Sequence, residues 1–187
     1  IPVQAQKKLF SQLAHLQEGD VLVLAGSIPS SLPEDTYERI CEQLQGRGIS
    51  FVVDATGALL WKVLPYHPFL IKPNHIELGE LFHKQIETTE EIVYYAKLLQ
   101  NQGAKNVSVS RGEDAAVSQS PSPKGTLVNA VGAGDSMVAG FLYGYFQQKS
   151  YEQAFYMGLC AGSATAFHPW LAIKEQIEKL ASQFPLK

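Results

Sequence analysis

The sequence predicts an α/β fold, a mostly parallel sheet with helices on both faces. Short apolar runs bounded by turn residues, such as VLVLAG at 21–26 and ISFVVD at 49–54, alternate with stretches of helical periodicity. Those runs lack polar alternation, the pattern of strands buried on both faces of a parallel sheet. No repeat, low-complexity segment or linker interrupts the 187 residues, so the chain reads as a single α/β domain over 1–187.

Each element follows from its local pattern. Leu9, Phe10, Leu13 and Leu16 make one helical face between Val3 and Leu16, closed by Gly19 and Asp20. After the first strand, SSLPEDTYERICEQLQGRG reads as a helix with Ser30 or Ser31 near its N-cap, Pro33 close to the first turn, and Gly46 and Gly48 as its stop. The strand ISFVVD leads to a short helix at 57–64, then to the strand FLIKP and a helix opening at Asn74. Thr88 and Glu91 have the capping-box spacing of a helix running to Asn101, with Gly103 beyond it. KNVSVSRG at 105–112 is expected as a strand, and AAVSQ and GTLVNA as the arms of a hairpin around SPSPKG. Two long helices, at 134–148 and 151–167, and a short tail helix complete the chain.

Composition narrows the function. The chain is 45% hydrophobic and 18% charged, with net charge -3, which gives no basic footprint for a nucleic acid and no polybasic tract for a membrane surface. Small molecules or proteins are the expected partners. No apolar run reaches the length of a membrane-spanning helix, and the start IPVQAQKKLF lacks a signal pattern. Cys41 and Cys160 are too few for a disulfide framework; they are expected to pack in a reducing cytoplasm. The chain opens on Ile1, which suggests a polypeptide that begins further upstream.

The stretch NAVGAGDSMVAGF at 129–141 places Gly132 and Gly134 at the head of an apolar helix. Each glycine costs a helix about 1 kcal/mol relative to alanine. At a helix N-terminus, however, bare amides carry partial positive charge, and glycine lets an anion such as phosphate reach them. Asp135 reads either as an N-terminal capping charge or as a base beside a phosphoryl group. Other phosphate motifs fail: Met137 stands where the third glycine of G-x-G-x-x-G belongs, and no Gly-Lys dipeptide of a Walker A loop occurs.

VNAVGAGDSMVAGF resembles the C-terminal signature of the ribokinase-like (PfkB) carbohydrate kinases. Three further segments are similar to that family's motifs in the same order: VLVLAGSIPSSLP to its G-S-x-P loop, FLIKPNHIEL to its K-P-N-x-x-E-L segment, and VSVSRGEDAAV to its S-x-G-x-x-G loop. The resemblance implies a kinase using ATP and magnesium to phosphorylate a phosphosugar, with fructose 1-phosphate as the first expectation and tagatose 6-phosphate as the alternative. It implies Asp135 as the catalytic base, and the amides of Ala133, Gly134 and Asp135, following Gly132, as the anion hole. Lys72, Ser110, Gly112 and Ser136 are implied as nucleotide contacts, and Asn74 and Glu77 as the element that organises Mg2+ through water.

Standing alone, Lys72, Asn74 and Glu77 would read as a strand end and a helix cap, and Ser110 and Gly112 as an ordinary turn. The small residues of GLCAGSATAF read as close helix packing. Ala115, Ala25 and Ala130 depart from the family pattern, which expects glycine, serine and threonine there. The resemblance begins in mid-family, without the N-terminal sugar-binding part and the lid through which family members dimerise, so a homodimer is an expectation for the full-length protein. A nucleotide-binding remnant without catalysis is the reading from another class.

Overall fold

A computed structural model describes residues 1–111 and 123–184, and the chain falls into two compact units, Ile1–Val109 and Ser110–Lys187. In the first unit, helix α1 (Val3–Leu13) precedes strand β1 (Val21–Ala25), α2 (Thr36–Leu44), β2 (Ser50–Asp54) and α3 (Gly57–Val63). A 3-10 turn (Leu64–Tyr66), β3 (Leu70–Ile71), α4 (His75–Phe82) and α5 (Thr89–Asn101) complete it. The strands pair in the order β1-β2-β3, all parallel, in a register running from Val21↔Ser50 to Ala25↔Asp54 and through Val53↔Ile71. The expected α/β architecture with a parallel sheet is present.

Burial separates the strands. Phe51, Val52 and Val53 of β2 are all buried, so both of its faces are covered, as its continuous apolar run requires. β1 departs from the expectation of two buried faces: only Leu24 is buried, and Val23 is 44% exposed. Among the described residues β1 pairs on one side only, with β2, and little packs over its Val21, Val23 and Ala25.

Two other expectations need correction. The second helix begins at Thr36 with Asp35 at its N-cap, not near Ser30 or Ser31. Residues 29–36 instead close two short turns, Leu32 N–H to Pro29 C=O at 2.8 Å and Thr36 N–H to Pro33 C=O at 3.0 Å. Thr36 Oγ1 also donates to Pro33 C=O at 2.5 Å, so the side chain that might have joined a longer helix fastens a turn. Of the strand expected at 105–112, the described residues form only isolated bridge positions, at Val107 and Ser110; Val107 bridges Ile71 in parallel, with Ile71 N–H donating to Asn106 C=O and Ser108 N–H to Ile71 C=O. β3 is only two residues long and offers little ladder for it. Both capping boxes form: Thr88 with Glu91, and Asn74 with Glu77.

The second unit contains α6 (Ala133–Gln148), α7 (Tyr151–Ala166) and α8 (Lys174–Gln183). GTLVNA forms no strand and is largely exposed, while AAVSQ and Ala115 lie outside the described residues. α6 and α7 pack antiparallel along a seam of small residues. An added Cβ on Gly140 would lie 2.5 Å from Met157 C=O, one on Gly144 2.6 Å from Gln153 C=O, and one on Gly162 3.1 Å from Ala133 C=O. The reading of GLCAGSATAF as close packing is therefore correct. α8 closes against α7 through Ile177 and Ala181, which meet Tyr156, Met157 and Cys160; the Tyr156 hydroxyl donates to Ala181 C=O.

Both cysteines are buried and unpaired. Burial pushes the Cys41 thiol up to about 12 and the Cys160 thiol up to about 11, the latter against a hydrogen bond with Tyr156 that lowers it. An acid whose folded pKa is raised stabilises the fold fully below its unfolded value, here near 9.0, and that contribution disappears as pH climbs toward 12. At pH 8 the native chain is expected to resist iodoacetamide at both thiols and to be labelled only on unfolding. Rapid stoichiometric alkylation of the native protein, read by mass spectrometry, would contradict this burial.

Candidate active site

The head of α6 is built by a left-handed turn. Gly132 sits at φ 78, a conformation that a Cβ disfavours, and a Cβ there would fall 2.3 Å from Leu171 Cδ2. The backbone is what requires glycine here, since the exposed tip of Leu171 can swing aside. The first helical bond runs from Ser136 N–H to Gly132 C=O at 2.9 Å, so the amides of Ala133, Gly134 and Asp135 precede the ladder. Ala133 N–H turns back to Ala130 C=O at 3.2 Å. The amides of Gly134 and Asp135 remain as the head of the helix, and the Asp135 side chain beside them is exposed to solvent.

Residues that sequence reasoning did not single out hold this turn. Asn129 accepts from Val131 N–H at 3.0 Å through Oδ1 and donates to Pro169 C=O at 3.1 Å through Nδ2. Val128 and Asn129 N–H both donate to Ala166 C=O. The buried Thr165 donates to Ser136 Oγ at 2.8 Å and accepts from Ala172 N–H at 3.1 Å. Ser136, expected at the nucleotide, is thus half-buried with its oxygen accepting from α7. Its own proton remains a donor.

At the carboxyl ends of the first unit's strands lies a second group. Lys72, just past β3, is 7% exposed, and its Nζ is 3.2 Å from Asp54 Oδ1 at the end of β2. Tyr37 of α2 donates to Ala25 C=O at 2.8 Å and to Gly26 C=O at 3.2 Å. Burial first, and the Asp54 charge second, push its phenol above the ordinary value. Asp54 was not expected from the sequence; the signal for it was an acid ending an apolar strand whose parallel neighbour ends in a lysine.

Asn74 and Glu77 bind each other. Asn74 Oδ1 accepts from Glu77 N–H and Glu77 Oε2 from Asn74 N–H, both at 2.8 Å. The capping role that these residues would have alone is therefore real, and it leaves Glu77 Oε1 as the oxygen available to a cation. Among the described residues no group of three His, Cys, Asp or Glu side chains could enclose a metal ion. One carboxylate oxygen with water completing the shell suits magnesium, which dehydrates reluctantly, better than a metal needing a closed protein cage. Ser110 is half-buried at the start of the second unit, and Gly112 lies outside the described residues.

Residues 2–174 match the model of the pfkB family carbohydrate kinases. The chain is 49% identical over 181 residues to a 1-phosphofructokinase of Bacillus subtilis (strain 168), covering 93% of this chain and 60% of that protein. It is 32% identical over 189 residues to a D-tagatose-1-phosphate kinase of Bacillus licheniformis, covering 97% of this chain and 62% of the other. Phosphofructokinase-2 from Escherichia coli, solved in complex with substrates and products, shares 26% identity at a TM-score of 0.91 over 98% of this chain and 63% of its own. The chain thus spans about 60% of the length of the curated relatives it matches.

Proposed function

Because the chain belongs to the pfkB family of carbohydrate kinases, we propose that these residues form the nucleotide-binding and catalytic portion of an ATP-dependent phosphosugar kinase. Its reaction is transfer of the γ-phosphoryl group to a hydroxyl of fructose 1-phosphate, giving fructose 1,6-bisphosphate. The observation that carries this reading is the glycine turn at the head of α6, where unladdered amides lie beside the exposed carboxylate of Asp135. The 49% identity to a 1-phosphofructokinase supports the choice of sugar.

Each residue has a definite part in this scheme. Asp135 accepts the proton of the attacking hydroxyl as the phosphoryl group transfers. The Gly134 and Asp135 amides stabilise the negative charge on the transferring phosphoryl oxygens, with Ala133 joining them if its turn to Ala130 opens. Lys72 offers a cation to the nucleotide phosphates, and Ser110, Gly112 and Ser136 are proposed as nucleotide contacts. Magnesium, held by Glu77 Oε1 through water with Asn74 fixing that carboxylate, would supply charge neutralisation at the phosphates. We place the enzyme in the cytoplasm and expect a homodimer. No helix among the described residues is long and apolar enough to cross a membrane.

The likeness to a D-tagatose-1-phosphate kinase favours a ketose phosphate of different configuration as the second reading. A coupled ADP-release assay on the full-length protein, run with fructose 1-phosphate, fructose 6-phosphate, tagatose 1-phosphate and tagatose 6-phosphate, tests both. The highest kcat/KM is expected with fructose 1-phosphate. A preference for either tagatose phosphate would select the second reading, and ATP binding without turnover on any of the four would leave a non-catalytic nucleotide-binding protein.

A further inference from the structure

We propose that Asp54 is a positioning residue, whose carboxylate holds the Lys72 ammonium in place for the phosphates of a bound nucleotide. The inference rests on the kinase reading for what Lys72 meets, but the pairing itself stands on geometry. Val53↔Ile71 is the last paired position of β2 and β3, so Asp54 and Lys72 are the next residues of the same parallel register. Lys72 N–H donates to Val53 C=O at 3.3 Å, which carries that register one residue further. Laterally neighbouring residues of a sheet project to the same face. Their side chains meet there at 3.2 Å.

The surroundings make the pairing consequential. The Lys72 side chain is 9% exposed and that of Asp54 18%, so the ammonium has little water to solvate it. A charge so placed needs a partner, and a buried ion pair seldom stabilises a fold more than apolar residues of similar size would. The pair is therefore poorly explained as a stability device. It sits at the carboxyl ends of parallel strands, where ligands of α/β proteins bind. Asp54 is itself anchored, because its backbone C=O accepts from Gly26 N–H at 2.9 Å. Lysine is a flexible point charge on a four-carbon stem, and a fixed carboxylate removes most of that freedom before a phosphate arrives.

The test is a double-mutant cycle in the full-length protein, with MgATP binding measured by calorimetry and the ATP and phosphosugar KM values by steady-state kinetics. Asp54→Asn is expected to weaken MgATP binding roughly tenfold, as the loss of a charged hydrogen bond does, with the phosphosugar KM unchanged. Lys72→Met should weaken it at least as much, and Asp54→Asn should add nothing in the Lys72→Met background, because the two residues act as one. If the two losses multiply, if Asp54→Asn binds MgATP like wild type, or if both KM values rise together, the positioning role is wrong. Should Asp54→Asn fail to fold, Asp54→Glu keeps the charge and displaces it by one methylene: weakened MgATP binding supports the proposal, and wild-type binding overturns it. A wild-type protein that binds no MgATP would instead overturn the kinase reading on which the role of Lys72 depends.

Discussion

Asp135→Asn in the full-length protein is expected to lower kcat by about 10²–10⁴-fold, the contribution of a positioned general base, while MgATP binds as it does to wild type. The reasoning is geometric. Asp135 lies in the first turn of α6 with its side chain exposed, so a carboxamide of the same shape fits without repacking. The amides of Gly134 and Asp135 belong to the backbone and survive the substitution. What disappears is the carboxylate that we propose accepts the proton of the sugar hydroxyl. Helix α6 also loses a negative charge near its positive end, worth about 0.3–1 kcal/mol at an exposed site, so a small fall in Tm should accompany the kinetic effect. Turnover close to wild type in a stopped or coupled assay would remove Asp135 from the mechanism and leave it as a capping charge.

Gly140→Val is expected to cost about 3 kcal/mol of stability, the upper end of the usual range for overpacking. The seam between α6 and α7 leaves no room there: the first carbon of any side chain would meet Met157 C=O at 2.5 Å and the Ala161 Cβ at 2.6 Å. A backbone carbonyl cannot swing aside as the tip of a flexible side chain can, so the helices must separate. Ala139→Val is the control, since Ala139 is the neighbouring residue on the same helix and is exposed. It should cost no more than about 0.5 kcal/mol, as surface substitutions usually do. Separation of the helices would also displace Ala133, whose carbonyl lies 3.1 Å from the position of a Cβ on Gly162. Activity should therefore fall at temperatures where the variant is still folded. Equal denaturation midpoints for the two variants would show that the seam tolerates a spacer.

The parts of this molecule that can be read from sequence share a property: their decisive partners lie within a few residues. The Thr88–Glu91 and Asn74–Glu77 boxes close over three positions, and the Gly132 turn is written into consecutive residues. The same locality explains the errors. Ser30 and Ser31 have the chemistry of a cap, yet α2 starts only at Thr36 because Pro33 and Thr36 close a competing turn. β1 has the same apolar text as β2, yet the two strands differ in what packs over them.

The residues of the candidate site divide in the same way. Gly132, Gly134 and Asp135, proposed as the anion site, stand out in the sequence because a helix head is local. Asn129 and Thr165 do not, since their side-chain bonds reach 40 and 29 positions along the chain. Lys72 was identified and its counter-ion was not, because only the register of β2 on β3 brings Asp54 beside it.

Sequence alone determined the alternation of strands and helices, the glycine-opened head of α6 and the family to which the chain belongs, because periodicity, capping and motif spacing are properties of short segments. Tertiary structure decided which faces of the strands are covered, what fastens the turn at the head of α6, and which anion faces Lys72. Those outcomes depend on contacts between segments distant in the chain, which become neighbours only when apolar faces pack and strands take their register.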